Sequence, residues 1–444
     1  MSMYKRIGIL EHVGYGNLGD DATVAAVMEN IITRWPQASI VAITLNPDDT
    51  EKRHGIRSYA IRRDSKLSPH LSGCQPKPTL EAKLKAILSN CRALALAIRV
   101  AKALAIRAPR AAFQELLFLI ESFRIAKSLD LLVVSGGGQL RDSADGPYKF
   151  TSSLFKWVVL AKVTGAQCYF LNVGAGPLRS WTARSLLRCA LPLASYISFR
   201  DEQSQSLIRR IGFRGVSDVH ADCVYALPIP NRTIIPQSPM SGNLVVGLSP
   251  MRVHWDKRPS TYARIIRELG RLGVWLSDHN WHLRLFSTEL WCDVEPIRDL
   301  HTTITNERSP CHISCAQIDG IPALLSQMSA MDYIVTCRFH GVVFAHLLNI
   351  PVLAISHHPK VSCLMKDIGL SDYCLDIDTF DLEQLSRTFT RLVNNVANVK
   401  AIMAERAAQY RSELNRQFDS LFLEPLASSP GCYDLSRQYC SKST

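Results

Sequence analysis

Short apolar runs alternate with longer amphipathic segments along most of the chain. The runs are rich in β-branched residues, which is typical of buried strands, whereas apolar positions three and four residues apart in the intervening segments indicate helices. The predicted strands are residues 6–10, 39–45, 130–135, 167–173 and 196–199 in the first half, and 244–248, 282–286, 333–335 and 351–355 in the second. Because strand and helix alternate in both halves, the pattern predicts an α/β fold.

A proline-rich segment without periodicity, residues 222–241, separates the two halves. A chain of 444 residues is too long for one ordinary core, so we expect two domains. The predicted division is an α/β domain at 1–230, a second α/β domain at 242–400, a closing helix at 401–426 and a mobile tail at 427–444. Two helical stretches at about 78–129 form a predicted insertion within the first domain.

Charge adds a second interpretation of this insertion. The chain has a net charge of +12, and residues 71–130 carry ten Lys/Arg against four Asp/Glu, which is half of the excess. Their basic residues interleave with Leu and Ile, so the insertion is either a helical pair packed on the domain or a basic amphipathic surface that contacts an anionic membrane. No nucleic-acid-binding motif occurs, so nucleic acid is not an expected partner.

Cysteine usage and the N-terminus both indicate the cytoplasm. The 13 cysteines are odd in number and scattered in apolar surroundings, which is typical of reduced thiols. The one tight Cys/His cluster, residues 311–315, lacks a second ligand pair at zinc spacing, so no metal site is predicted. No secretory signal is present, and the longest uncharged stretch, 339–359, contains His340, His346 and Asn349 among its polar residues, unlike a membrane span. We expect a cytoplasmic protein, at the inner membrane face if the insertion binds lipid.

The most informative stretch for chemistry is residues 332–356, where a strand, a polar break, a helix at 342–348 and another strand follow one another. Ligands of such βαβ units lie beyond the carboxyl ends of the strands, where Arg338 and His340 fall beside a helix N-terminus that favours anions. Arg can grip a carboxylate or phosphate with two bonds, and His can move a proton near neutral pH. The alternative is that Arg338 closes a structural ion pair and that His340 is simply buried.

Two glycine-rich turns follow predicted strands of the first domain. Residues 14–22 contain three glycines, but the spacing is not that of a dinucleotide fingerprint and no Walker lysine follows. Gly137 and Gly138 end another strand and permit close approach of the backbone to a ligand. Arg200 follows a third strand, where pairing with Asp201 or Glu202 and contact with a ligand are both open.

Four stretches, in their order and spacing, resemble the polysaccharide pyruvyl transferase family. They are GYGNLGDDA at 14–22, SGGGQLRD at 135–142, SFRDEQS at 198–204, and CRFHG with IPVLAISHHPK at 337–360. The resemblance runs from about residue 5 to about residue 376, and Asp222 also fits the family pattern. The motifs do not support the helical insertion or the tail.

The resemblance implies two Rossmann-like domains facing each other across a cleft, similar to GT-B glycosyltransferases. It also implies transfer of the enolpyruvyl carbons of phosphoenolpyruvate to a sugar of an exopolysaccharide or lipid-linked repeat unit, giving a cyclic pyruvate ketal. The family's Arg-x-His corresponds to Arg338 and His340, and its Arg-Asp/Glu turn to Arg200. Asn17 and Asp20 match its first glycine-rich turn.

This chemistry suits the residues found at the strand ends. Arg338 and Arg200 can each neutralise one anionic end of phosphoenolpyruvate, and His340 is the expected proton carrier. Backbone donors near Gly137, Gly138 or the helix at Gly341 can stabilise the leaving phosphate. The scheme requires no metal or other cofactor.

Lys360 is the remaining candidate substrate-binding residue. Here the chain departs from the family pattern, because His357 and His358 stand where members often have a Tyr before the Lys.

Two other functions stay open. A GT-B glycosyltransferase that uses a nucleotide sugar also places basic groups near phosphates. A non-catalytic protein of the polysaccharide machinery could retain the same fold.

Overall fold

The computed structural model describes residues 5–11, 13–63, 112–142, 150–229, 244–252, 259–307 and 312–423. Most of the predicted helical insertion and the predicted tail at 427–444 lie outside these ranges. The last helix of the insertion is described and spans residues 112–127.

The first domain is built on seven parallel strands in the order β3-β2-β1-β4-β5-β6-β7. The strands are β1 Arg6–Leu10, β2 Ser39–Thr44, β3 Ser58–Ala60, β4 Leu131–Ser135, β5 Gln167–Val173, β6 Tyr196–Phe199 and β7 Asp218–Val219. The helices are α1 Leu18–Arg34, α2 Pro47–His54, α3 at residues 112–127, α4 Phe150–Thr164, α5 Trp181–Ala190 and α6 Glu202–Arg210.

The second domain contains six parallel strands in the order β10-β9-β8-β11-β12-β13. The strands are β8 Val245–Ser249, β9 His282–Leu285, β10 Ile313–Cys315, β11 Tyr333–Thr336, β12 Val352–Ser356 and β13 Cys374–Asp376. The helices are α7 Pro259–Asp278, α8 Val294–Glu307, α9 Ile321–Ser329, α10 Phe339–Leu347, α11 Pro359–Ile368, α12 Leu382–Asn394 and α13 Val396–Phe422.

The central strands are buried along their whole length. Every residue of β4 and of β11 is buried, because helices cover both faces of a parallel sheet. These strands therefore occur in the sequence as continuous apolar runs and not as an alternation of apolar and polar residues.

The C-terminal helix α13 returns from the second domain to the first. Arg34 of α1 forms an ion pair with Asp419 at 2.7 Å, and the buried Gln417 side chain donates a hydrogen bond to Asn172 Oδ1 at 2.9 Å. Because α13 packs on both α1 and the second domain, it fixes the two domains to each other. The closing helix predicted at 401–426 begins earlier than expected, at Val396.

The strand order reverses between β1 and β4 in one sheet and between β8 and β11 in the other. Ligands of doubly wound sheets bind at these points, beyond the carboxyl ends of the strands. The two edges face each other, since Leu18 N donates to Thr288 O at 2.9 Å and Leu290 N donates to Gly16 O at 2.8 Å. The predicted pair of Rossmann-like domains across a cleft is confirmed.

The helix predicted at 342–348 begins three residues earlier, at Phe339. Arg338 has extended backbone angles (φ −96°, ψ 135°) and occupies the cap position. His340 therefore lies in the first turn of α10, not in a loop before it.

Candidate active site

The first glycine-rich turn is held by Asn17, which caps α1. Its Oδ1 accepts hydrogen bonds from Gly19 N at 3.1 Å and Asp20 N at 3.4 Å, satisfying donors that a helix start leaves free. Its Nδ2 donates to Asp20 Oδ2 at 2.8 Å and to Glu289 Oε1, across the cleft, at 3.2 Å. Asn17 thus positions Asp20 and joins the two domains.

His340 lies directly against Gly19 of this turn. A Cβ atom at Gly19 would lie 1.9 Å from His340 Nδ1, so only glycine leaves room for the imidazole. His340 Nε2 lies 3.9 Å from Asp222 Oδ2 and has no hydrogen-bond partner among the described residues. Burial lowers the pKa of His340 to about 4, although Asp222 and Asp20 oppose the shift. The ring is therefore neutral at pH 7 and able to accept a proton.

Arg200 stands next to His340 and shares Asp222 with it. Arg200 Nη1 lies 3.3 Å from Asp222 Oδ2, and Nε lies 3.5 Å from Asp201 Oδ2. Its guanidinium carbon lies 4.7 Å from the centre of the Phe339 ring, a cation–π contact. The ion pair with Asp201 that the sequence left open is formed, yet the guanidinium also lines the cleft beside His340.

Lys360, at the start of α11, completes a cationic face on the ring of Phe339. Its Nζ lies 5.3 Å from the ring centre. Burial lowers the pKa of Lys360 to about 7, and the positive charges of Arg200 and Arg141 lower it further than Asp20 raises it. An amine with this pKa can both bind an anion and exchange a proton near neutral pH.

The histidines that replace the family's Tyr have local structural contacts. His357 Nδ1 lies 2.9 Å from the carbonyl oxygen of Cys337, and His358 Nδ1 accepts a hydrogen bond from Lys360 N at 3.3 Å. His358 thereby caps the helix that carries Lys360. With His357 and His358 at these positions, Lys360 Nζ lies over the ring of Phe339.

Three glycines were predicted to contact substrate, and each position requires or uses glycine for a different structural reason. Gly137 has φ +61°, and a Cβ there would lie 3.0 Å from both Asp20 Oδ1 and Glu11 Oε1. At Gly138 the nearest atom to such a Cβ is Arg141 Cδ at 3.9 Å, so this residue leaves open space at the cleft. A Cβ at Gly341 would lie 2.3 Å from Thr336 Oγ1, so Gly341 allows α10 to pack closely on β11.

Glu11 is a buried acid that the sequence did not single out. It follows β1, is fully buried, and accepts a hydrogen bond from Ser135 Oγ at 2.6 Å. Burial raises the pKa of Glu11 well above its ordinary value, and the negative charge of Asp20 raises it further. The one sequence signal was a charged residue at the end of an apolar strand.

Arg338 is fully engaged by carboxylates of its own domain. Its Nε and Nη2 donate to Asp293 at 2.9 and 2.5 Å, and its Nη1 lies 3.3 Å from Glu289 Oε1. Asp293 is completely buried. Burial acts to lower the pKa of Arg338, but Glu289 and Asp293 outweigh it and raise the pKa above its usual value. The arrangement matches the structural ion pair that the sequence left open, and the anion-binding role of Arg338 stays a prediction.

The fold defines a GT-B-like protein, and Arg200, His340 and Lys360 lie together around Phe339 in the cleft between its two domains. The sequence model of the polysaccharide pyruvyl transferase family matches residues 17–359, which is most of the chain. The chain belongs to the polysaccharide pyruvyl transferase family. This membership supports a role in polysaccharide modification. No curated protein sequence matches the chain.

Solved structures with the same fold are distant in sequence. Anabaena Alr3699/HepE, in complex with UDP and glucose, is 13% identical with a TM-score of 0.53, covering 94% of this chain and 100% of its own. The UDP-GlcNAc 2-epimerase of Neisseria meningitidis, bound to UDP-GlcNAc, is 11% identical with a TM-score of 0.55. The match covers 93% of this chain and 99% of the epimerase chain. A putative UDP-N-acetylglucosamine 2-epimerase of Listeria monocytogenes is 10% identical with a TM-score of 0.57. The match covers 94% of this chain and 96% of the Listeria chain. At these identities the likeness shows the fold alone.

Within the described part of the chain, no group of three His, Cys, Asp or Glu side chains is placed to hold a metal ion. Within the same ranges, no helix is long and apolar enough to cross a membrane.

Proposed function

We propose that this protein transfers the pyruvyl group of phosphoenolpyruvate to two hydroxyls of a saccharide, forming a cyclic ketal and releasing phosphate. The observation that carries the proposal is the convergence of Arg200, His340 and Lys360 around Phe339. Two of these groups are cations suited to a carboxylate and a phosphate. Two have a pKa that permits proton exchange near neutral pH or below.

The proposed reaction balances without an external oxidant or reductant. Two sugar hydroxyl oxygens form bonds to C2 of phosphoenolpyruvate, while the bond between C2 and the phosphate oxygen breaks. One hydroxyl proton ends on the methylene carbon, which becomes a methyl group, and the other leaves with the phosphate. Phosphoenolpyruvate is the donor in this reaction, and no resident cofactor takes part.

In this proposal His340 is the proton carrier. Its imidazole is neutral at pH 7 and can take a hydroxyl proton, and Asp222, at 3.9 Å from Nε2, stabilises the imidazolium that forms. Lys360 and Arg200 neutralise the phosphate and the carboxylate, and Lys360 is a second group able to give a proton to the leaving phosphate. The backbone at Gly137, Gly138 and the start of α10 at Gly341 supplies N–H groups for the developing charge.

Arg338 takes a different part in the proposal. Its guanidinium donates two hydrogen bonds to Asp293, so it positions the loop that carries Glu289. Glu289 in turn accepts a hydrogen bond from Asn17. Asp20 is then fixed beside Gly137 and can accept a hydrogen bond from the saccharide.

A GT-B glycosyltransferase is the second candidate, because two structural neighbours named above were solved with UDP or a UDP-sugar. The same cations suit a diphosphate. The experiment that separates the two is phosphate release from phosphoenolpyruvate in the presence of lipid-linked or nitrophenyl saccharides. Pyruvyl transfer gives phosphate only when both substrates are present, whereas a glycosyltransferase gives none and consumes a UDP-sugar instead.

We also propose a cytoplasmic location with peripheral contact to an anionic membrane through α3. Phe113, Leu116 and Ile120 lie on one side of this helix and are 60%, 52% and 41% exposed, and Arg124 and Lys127 are exposed near them. An apolar stripe with flanking basic residues is typical of helices that lie in a lipid interface. Such contact would keep the enzyme near a lipid-linked acceptor.

Sedimentation with vesicles tests the membrane proposal. We expect binding to anionic vesicles that weakens with salt and is reduced by Arg124→Gln with Lys127→Gln. A control pair of exposed arginines on other helices, Arg387→Gln with Arg416→Gln, should leave it unchanged. Equal binding to neutral and anionic vesicles would contradict the proposal.

A further inference from the structure

A basic groove on the first domain lies outside the candidate active site. It runs between α5 and α6, has a volume of about 390 Å³, and is lined by Trp181, Arg184, Arg188, Leu207, Arg210 and Ile211. Trp181 is 78% exposed. Such exposure is unusual for tryptophan, because its large apolar ring is normally mostly buried. We refer to this recess as the α5–α6 groove.

One of its three arginines is hydrogen-bonded to the backbone, and a second packs against Gly212. Arg184 Nε donates to the carbonyl oxygen of Leu178 at 2.8 Å, and Arg188 Nε lies 3.2 Å from the position that a Cβ at Gly212 would occupy. Arg184, Arg188 and Arg210 form no ion pair with any residue that the structure describes. The groove therefore combines uncompensated positive charge with an exposed indole and the apolar side chains of Leu207 and Ile211.

One turn, residues 174–178, separates this groove from the active site. A Cβ at Gly176 would lie 2.9 Å from Leu207 Cδ2 in the groove, and a Cβ at Gly174 would lie 2.6 Å from Arg200 Nε in the active site. A chain molecule that leaves the cleft past Arg200 can therefore reach the groove by crossing a single turn.

We propose that the α5–α6 groove binds an acidic glycan, namely the part of the acceptor chain that extends beyond the sugar being modified. The proposal rests on the proposed function. Guanidinium groups pair with carboxylates by two parallel bonds, and an exposed indole offers a flat face to a sugar ring. Every ketal that the proposed reaction installs adds a carboxylate to the glycan. The basic side chains line a recess, which fits a chain of sugars better than a flat bilayer.

Binding without phosphoenolpyruvate tests the groove independently of catalysis. The probes are an oligogalacturonate and a neutral maltooligosaccharide of equal length, measured by titration calorimetry at low and high salt. We expect only the oligogalacturonate to bind, with affinity that falls as salt rises. Trp181→Ala, and separately Arg188→Gln with Arg210→Gln, should each weaken it about tenfold or more, while Arg387→Gln on α12 serves as the control and leaves it unchanged.

Three outcomes would overturn the assignment. They are equal binding of both probes, unchanged affinity in both groove variants, and loss of anionic-vesicle binding in those variants without any glycan binding. With a polymeric acidic acceptor, the groove variants should raise the acceptor KM about tenfold and leave the KM for phosphoenolpyruvate unaltered. Absence of phosphate release with every acceptor would refute the proposed function, whereas intact turnover with no effect of the variants on binding would refute the groove alone.

Discussion

Replacing Gly19 by alanine is expected to displace the His340 imidazole without removing any polar group from the site. The new Cβ would lie 1.9 Å from His340 Nδ1 and 2.0 Å from its Cγ, whereas ordinary contacts begin at 3.4 Å. The ring must therefore retreat by about 1.5 Å. A displacement of about 1 Å in a reacting group costs roughly 10²-fold in rate, and loss of a proton carrier costs roughly 10²–10⁴-fold.

We therefore expect Gly19→Ala to lower kcat by about 10²-fold or more, measured as phosphoenolpyruvate-dependent phosphate release. Overpacking of this kind costs about 1–3 kcal/mol of unfolding free energy, which urea denaturation checks. The control is Gly320→Ala, because a Cβ there meets only Pro322 Cδ, at 3.8 Å. It should retain wild-type kcat.

A double-mutant cycle makes this prediction sharper. In a His340→Ala background the methyl group at residue 19 no longer meets an imidazole, so Gly19→Ala should lower kcat little further. Wild-type kcat in Gly19→Ala alone would contradict this prediction, and so would an effect on kcat that is as large with His340 absent as with His340 present.

Three further predictions concern charge. Arg338→Lys should lower unfolding free energy by about 3 kcal/mol in urea, because lysine cannot satisfy both oxygens of buried Asp293; a loss seen only in the KM for phosphoenolpyruvate would instead favour substrate contact. Glu11→Gln should stabilise the protein near pH 7, because the raised pKa of Glu11 makes wild-type stability fall as pH rises above 4.5; equal urea midpoints at pH 7 would contradict this. The pKa of His346 is lowered to about 4, chiefly by burial, so stability should fall as pH drops from about 6.5 towards 4; His346→Gln should flatten that profile, and an unchanged slope would contradict it.

The order of strands, helices and motifs could be predicted because each depends on local pattern. β4 and β11 are continuous apolar runs, and glycines follow β1 and β4. These local features predict the strand ends that border the cleft, and they do so without knowledge of distant residues. The alternation of strand and helix predicts two α/β domains and the strand ends at which ligands bind, whereas the Rossmann-like pairing of the domains was implied by the resemblance to the family.

The contacts that decide each residue's role depend on distant partners and could not be predicted in this way. Arg338 meets Asp293 from the loop after β9, and His340 meets Gly19 from the other domain. Asp222 fitted the family pattern, but only the folded chain places it between Arg200 and His340. The helix begins at Phe339, three residues before the predicted start at residue 342, so His340 lies in a helical turn and not in a loop. This start could not be predicted because the cap of α10 is an Arg and not a typical capping residue.

The most direct test of the central claim is a phosphate-release assay with phosphoenolpyruvate and a saccharide panel, with the product examined by NMR. We predict phosphate release only when both substrates are present, a new methyl signal from a pyruvate ketal on the saccharide, and a loss of phosphate-release activity of about 10²-fold or more in His340→Ala. Transfer of sugar from a UDP-sugar, with no phosphate released from phosphoenolpyruvate by any acceptor, would contradict it.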